Sequence, residues 1–316
     1  MKKYMAWALL VMLLLSALPC LSAAAGEKIS IVSTIFPPYD FARAVAGDKA
    51  NVTMLLKPGA EIHSFDPTPA DILAIQNADV FLYIGGESDV WVDDILSSMD
   101  VSKKQIVRLM DTVTLAQENT VEGMQEEDDT DGEQGNDETE YDEHIWTSLQ
   151  NAVLMVNAVE KALCAADAGN EAWYQKNAEG YIAQINAIDA QFKAVSQEAG
   201  PKIMVFGDRF PFRYFADAYG LEYRAAFPGC STETEASAAT LAYLIDTVKK
   251  YKLPYIYTIE LSSQNIARSI SEQTGAQILT LQSCQGISRD DFQSGATYVS
   301  LMQKNVENLR KGLVTP

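Results

Sequence analysis

The chain has 316 residues, and 47% of them are hydrophobic, which suits a packed protein of two ordinary domains. Its formal net charge of −19 argues against nucleic acid as a partner, because phosphate contacts need lysine and arginine. Twelve carboxylates and no lysine or arginine lie between Glu122 and Glu143, so one segment carries most of this charge.

The first residues have the features of a secretory signal. Two lysines precede the apolar run "MAWALLVMLLLSAL", which is too short for a membrane span, and the small residues of "SAAAG" suit cleavage. We favour this interpretation over a lipid anchor at Cys20, because Pro19 replaces the small residue that usually precedes a lipidated cysteine. These features predict a signal peptide over residues 1–25. We therefore expect an extracytoplasmic protein, in the periplasm or at the cell surface.

Strands and helices then alternate along the chain. The predicted strands are "KISIVSTIF", "NVTMLL", "DVFLYIG" and "QIVRLM", and the helices between them are "YDFARAVAG", "TPADILAIQNA" and "SDVWVDDILSS". In the second helix Thr68 is a good N-cap and Pro69 a good first helical residue. This alternation predicts a parallel sheet covered by helices on both faces.

The acidic run, residues 118–142, interrupts this alternation. It has no apolar pattern, so we expect a disordered insert. The helical segment "TSLQNAVLMVNAVEKALCAA" follows, and then a long helix without proline. Its apolar residues recur at helical spacing: Tyr181, Ile182, Ile185, Ile188 and Phe192.

A second series of strands and helices begins at "KIMVFG" and ends with the helix "GATYVSLMQKNVENLRKGL". The predicted organisation is an N-terminal α/β lobe (27–165, with the insert), a connecting long helix (166–200) and a C-terminal α/β lobe (201–316). Ligand sites of such sheets lie beyond the carboxyl ends of the strands. The predicted fold is therefore α/β, with two parallel-sheet lobes joined by a rigid long helix and a site in the cleft between them.

Both histidines of the chain lie near strand or helix ends. His63 follows the second strand, and His144 precedes the helix that begins near Thr147. A neutral imidazole in such a place is a good ligand for a divalent metal, although an isolated loop histidine is more often a surface residue without a role. Two of them in similar loops of one lobe weaken that alternative, but their spacing alone does not establish a metal site.

Several segments resemble the zinc- and manganese-binding proteins of bacterial ABC transporters. They are "PGAEIHSFDPTPADI", "DEHIWTSLQNAVLMVNAVEKAL", "YFADAYGL" and "TIELSSQNIARSISEQTGAQIL". The second is similar to the family's Asp-Pro-His-x-Trp ligand motif, and the resemblance covers nearly the whole chain after the signal. It implies that His63 and His144 are the first two metal ligands.

The sequence departs from the family at the other two ligand positions. Arg209 and Gln282 stand there, and an arginine has no lone pair to offer a metal. We therefore predict that the neighbouring Asp208 supplies the third ligand. Glu260 and Glu87 lie near strand ends and are further candidates, with helix capping or loop hydrogen bonding as the alternative for each.

Three cysteines follow the predicted signal. Cys230 and Cys284 both fall in loops of the C-terminal lobe, where they form a disulfide, bind the metal or do neither; we favour the disulfide because of the expected compartment. Cys164 lies in an apolar helical run and is predicted to be a core residue.

The resemblance implies capture and transport of a metal, and no enzymatic activity. Two imidazoles with carboxylates suit Zn²⁺, with Mn²⁺ or iron as the alternative. We expect a monomer that delivers the ion to the permease and ATPase of an ABC transporter. Functions of other classes are a metal-dependent hydrolase, for which the sequence has no catalytic motif, and a surface adhesin.

Overall fold

A computed structural model describes residues 28–125, 141–231 and 235–314. The predicted signal peptide, Cys20 and most of the acidic run lie outside these described residues. None of the helices in the described ranges combines the length and the apolar content that a membrane crossing requires.

The N-terminal lobe is a four-stranded parallel sheet with the strand order β2-β1-β3-β4. Its strands and helices are β1 (Ile29–Ser33), α1 (Phe36–Ala46), β2 (Ala50–Met54), α2 (Pro69–Asn77), β3 (Val80–Tyr83), α3 (Trp91–Ser97) and β4 (Gln105–Arg108). Thr68 caps α2 as predicted, in a capping box with Asp71. The two prolines after "STIF" do not end a strand; they occupy the first turn of α1, where a missing N–H costs nothing.

Two helices lead out of this lobe. Helix α4 (Leu149–Ala166) packs against α1 and β4, and α5 (Glu171–Glu198) is the predicted long helix, with 28 residues. One face of α5 is buried through Tyr181, Ile185, Ile188 and Phe192, as the spacing of its apolar residues predicts. This helix therefore packs along its length and does not span solvent between the lobes.

The C-terminal lobe repeats the plan with the strand order β6-β5-β7-β8, again all parallel. Its elements are β5 (Ile203–Arg209), α6 (Arg213–Tyr219), β6 (Glu222–Phe227), α7 (Ala238–Tyr251), β7 (Tyr255–Thr258), α8 (Asn265–Thr274), β8 (Gln277–Thr280), α9 (Arg289–Gln293) and α10 (Tyr298–Leu313). The five residues of α9 were not predicted, because so short a helix shows no period. The predicted fold class is confirmed, whereas the exact domain boundaries stay a prediction.

One apolar core runs through both lobes. The largest cluster of buried residues contains Phe41 of α1, Phe192 of α5, Phe206 of β5 and Tyr298 of α10. Because the same cluster includes residues of the connecting helix, moving the lobes apart would expose apolar surface. The lobes are therefore one packed body rather than two bodies on a loose hinge.

A buried carboxylate joins three helices where the lobes meet. The Asp40 side chain, in α1, is 1% exposed and accepts hydrogen bonds from the Tyr181 hydroxyl of α5 and the Tyr298 backbone N–H of α10 (2.8 Å). It also pairs with Arg43, which donates to the Ala296 carbonyl. This network fixes α1 to the C-terminal lobe.

The predicted disordered insert needs correction at both ends. Residues 118–125 are described and contact the C-terminal lobe: the Gln125 N–H donates to Ala226 O (3.0 Å), and the Glu118 carboxylate accepts from the Gly229 N–H (3.1 Å). A β-bridge pairs Gln117 with Tyr141. The sequence did not indicate these contacts, because polar side chains that bond to backbone form no apolar pattern. Residues 126–140 lie outside the described residues.

Candidate metal centre

Short turns hold the two histidines of the chain. His63 lies in the turn Ile62–Ser64 after β2, and the Glu61 carboxylate accepts a hydrogen bond from the Ile62 N–H at its start. His144 precedes the turn Ile145–Thr147 that leads into α4. The Asp142 carboxylate accepts from the His144 backbone N–H at 2.8 Å, which fixes the backbone there.

Three side chains converge at this place. His63, Glu143 and His144, called the metal triad below, each offer one ligand atom, and these atoms lie within 4.8 Å of one another. The two imidazole centroids are 6.4 Å apart. Two imidazoles and one carboxylate are the donor set that zinc takes in many proteins.

The orientation of His144 fits a metal ligand. Its side chain is fully buried, and its Nδ1 lies 3.1 Å from the Asp142 carboxylate. A hydrogen bond from Nδ1 to that carboxylate leaves the lone pair on Nε2, and Nε2 is buried without a partner among the described residues. An unpaired buried acceptor is costly, and an ion bound by this atom would satisfy it.

Glu143 was not predicted as a ligand, although "DEH" contained the signal. It stands where the family motif has proline, directly before His144. Its side chain is directed by Ser88, whose N–H donates to Oε2 (3.0 Å) and whose hydroxyl donates to Oε1. The sequence analysis counted Glu143 as the last of the twelve acids around the insert and gave it no role in metal binding.

The charges around the triad shift its pKa values in different directions. Burial would lower the pKa of His144, but the carboxylates of Asp142 and Glu143 outweigh burial and raise it. Burial raises the pKa of Glu143, against the opposing effect of His144. Burial, followed by the charges of His144 and Arg209, lowers the pKa of His63 to about 4, so His63 is neutral and ready to bind a metal near pH 7.

The neighbours of the triad come from both lobes, and none of them within the described ranges adds a further His, Cys, Asp or Glu ligand. Gln285 Nε2 lies 3.3 Å from His63 Nε2, and the Ser88 hydroxyl lies 3.4 Å from His63 Nδ1. A Cβ atom at Gly229 would lie 3.0 Å from Cε1 of His144, so a side chain there would press on the imidazole. A larger residue at 229 would therefore fit only if the imidazole or the loop shifted by a few tenths of an ångström.

The structure does not bring the predicted carboxylate ligands to the triad. Within the described ranges, the triad does not extend to Asp208, Glu260 or Glu87. The Asp208 carboxylate instead accepts from the backbone N–H groups of Arg209 (2.9 Å) and Ile259 (3.4 Å). Our assignment of Asp208 therefore needs correction: its short side chain caps backbone at the end of β5.

The other two acids also have different roles. Glu260 is buried and accepts two hydrogen bonds from Ser283, one from the N–H and one from the hydroxyl, each of 2.6 Å. Glu87 is exposed in the turn Glu87–Asp89. For Glu260, loop hydrogen bonding, the alternative given above, is what the structure shows.

Arg209 takes the third ligand position of the family and makes an ion pair. Its Nη2 lies 2.7 Å from Oε2 of Glu61, two residues before His63. The Gln282 backbone N–H donates to the Asn305 side chain at 2.7 Å, so Gln282 belongs to the packing of α10. Arg209 therefore does not replace the ligand that the family resemblance implies.

The predicted disulfide between Cys230 and Cys284 is absent, and Cys164, Cys230 and Cys284 are all free thiols. Cys284 is buried in the large apolar cluster, where its thiol faces the Gln282 carbonyl. Cys230 lies in the loop after β6, and its N–H bonds to Glu118. Burial raises the pKa of both thiols, which also disfavours a thiolate ligand at either position.

Comparisons with known proteins agree with this geometry. The chain is 34% identical over 288 residues to the zinc-binding lipoprotein AdcA of Streptococcus pneumoniae, covering 91% of this chain and 56% of that protein. The chain thus spans little more than half the length of this relative. The zinc uptake protein ZnuA of Bacillus subtilis is 29% identical over 290 residues, covering 92% and 89% of the two chains.

A solved structure has the same architecture. It is the Zn(II)-bound ZnuA-like domain of the S. pneumoniae AdcA, with 30% identity and a TM-score of 0.74 over 92% of this chain and all of that one. The family model described as "Zinc-uptake complex component A periplasmic" (ZnuA) matches residues 31–312, which include the triad and both sheets. With nearly its whole described length matched, the chain belongs to the ZnuA family of zinc-uptake components.

Proposed function

We propose that this protein captures Zn²⁺ outside the cytoplasm with His63, Glu143 and His144 and delivers it to the permease and ATPase of an ABC transporter. The observation that carries the proposal is the buried, unpartnered Nε2 of His144 within 4.8 Å of ligand atoms of His63 and Glu143. The names of its relatives, a zinc-binding lipoprotein and a zinc uptake protein, support zinc as the cargo.

The chemistry of the triad also favours zinc. Two nitrogens and one oxygen suit zinc better than manganese, which usually takes more oxygen ligands, and zinc binds such sites more tightly. The family is named for a periplasmic component, which supports an extracytoplasmic location for this protein. A cleaved signal within residues 1–25 and a monomeric state complete the proposal. The chain binds its cargo and does not transform it.

Glu143→Gln and Asp208→Asn variants test the ligand set. We expect Glu143→Gln to weaken zinc binding by about a hundred-fold, because the anionic ligand is lost, and Asp208→Asn to bind zinc as the wild type does. Metal analysis of protein purified without chelator, followed by zinc titration in competition with manganese, measures this. If Asp208→Asn weakened zinc binding and Glu143→Gln did not, Asp208 would be a ligand and Glu143 would not. Wild-type protein that preferred manganese would overturn zinc as the cargo.

Zinc affinity should fall as the pH is lowered. Protons compete with the metal for the triad, and the raised pKa of His144 means that this competition begins above the usual histidine range. His63, with a pKa of about 4, competes only at more acid pH. Zinc titrations between pH 8 and pH 5 check this. A flat affinity across that range would contradict a role for His144 as a ligand.

A further inference from the structure

An ion pair crosses the cleft beside the metal triad. Arg209, at the end of β5, places Nη2 2.7 Å from Oε2 of Glu61, while its Nη1 donates to the Ser231 carbonyl at 3.2 Å. The side chain of Arg209 is only 14% exposed. The guanidinium is therefore fixed by its own lobe and directed at the loop that carries His63.

The charge of Arg209 opposes metal binding. An arginine is cationic at every accessible pH, and its field acts on the neighbouring His63. The triad contributes one negative charge, from Glu143, against the two positive charges of the metal. An uncompensated guanidinium beside the loop of His63 would repel the ion, because a partly buried site screens charge poorly.

We propose that Glu61 is the counter-ion that neutralises Arg209, and that this ion pair sets the affinity and lifetime of the bound metal. The inference rests on the proposed function, since it concerns the same site. The Arg209 guanidinium also keeps the Glu61 carboxylate engaged, so that this acid does not become an additional metal ligand. Glu61 and Arg209 are thus positioning residues that act through charge.

The simpler interpretation is that the pair only clamps the two lobes together. A clamp is lost whichever partner is removed, so both single variants would then change zinc affinity in the same direction. The charge mechanism predicts opposite directions. The Glu61→Gln variant leaves Arg209 unpaired, whereas Arg209→Gln removes the repulsion and frees a carboxylate two residues from His63.

The test is a double-mutant cycle of Glu61→Gln and Arg209→Gln, measured by zinc titration against a competing chelator and by the rate at which excess chelator removes zinc. We expect Glu61→Gln to weaken binding about ten-fold and to speed zinc release, and Arg209→Gln to strengthen binding about ten-fold and to slow release. The double variant should return to within about three-fold of the wild type.

Arg213→Gln is the matched control, because Arg213 forms a 2.8 Å ion pair with Asp217 inside α6, within one lobe. It should bind zinc as the wild type does. Shifts of Glu61→Gln and Arg209→Gln in the same direction, or no shift in either, would overturn the inference. Wild-type protein that bound no zinc would instead refute the proposed function, so the two failures are distinguishable.

Discussion

A His144→Ala variant is expected to lose about a thousand-fold in zinc affinity. The change removes the imidazole that we propose as a nitrogen ligand and whose ring Asp142 already orients, and each ligand of a zinc site contributes several kcal/mol. Isothermal titration or chelator competition at pH 7.5 measures the loss. The buried position makes this the largest effect that we expect from any single residue of the triad, since water cannot easily take the place of the imidazole.

A loss of zinc binding must be separated from a loss of folding. The alanine leaves a small cavity in place of a buried ring, so the variant should unfold at a somewhat lower temperature than the metal-free wild type. Added zinc should raise the unfolding temperature of the wild type and leave that of the variant unchanged. A variant that is still stabilised by equimolar zinc would show that His144 is not a ligand.

Replacing Asp40 with alanine should lower the free energy of unfolding by about 3–5 kcal/mol. The Asp40 side chain is 1% exposed. Its loss leaves the Tyr181 hydroxyl and the Tyr298 N–H without this acceptor, and the Arg43 guanidinium without this counter-ion. Buried donors without an acceptor and a cation without its counter-ion lower the stability of the folded state. Urea unfolding of metal-free protein, followed by fluorescence, gives the difference.

Two further variants make this result specific. Asp40→Asn keeps an acceptor oxygen and the volume of the side chain, so it should recover a large part of the lost stability. Asp48→Ala removes an exposed carboxylate, 3.9 Å from Lys49, and should change stability by less than about 0.5 kcal/mol. Equal effects of the Asp40 and Asp48 variants would mean that the network does not hold α1 to the C-terminal lobe.

The fold was predictable because its signals are local. Alternating apolar strands and capped helices repeat in both halves of the chain, and Thr68 with Asp71 forms the cap that the sequence indicated. The parallel order of each sheet follows from that alternation. The short helix α9 was not predicted, because five residues show no helical period. Residues 118–125 were predicted to be disordered, because hydrogen bonds to backbone leave no apolar pattern in a sequence.

The metal site was only partly predictable. His63 and His144 were found from their positions and from the family motif, and the structure brings them together. Asp208 was chosen because it adjoins the usual ligand position, but adjacency along a strand does not tell where a carboxylate points. Glu143 was not predicted, because the hydrogen bonds that direct its carboxylate come from Ser88, which is 55 residues away in the chain.

The shared apolar core has a consequence for how long the protein keeps its cargo. Since α5 and both sheets pack into one cluster, separating the lobes would amount to partial unfolding. Ile62, Ile145 and Trp146, from the turns beside His63 and His144, belong to the same cluster. Moving these turns therefore exposes apolar surface, so we expect the ion to leave slowly from the protein alone. A carrier built in this way keeps its ion until a partner offsets the cost of exposing that surface.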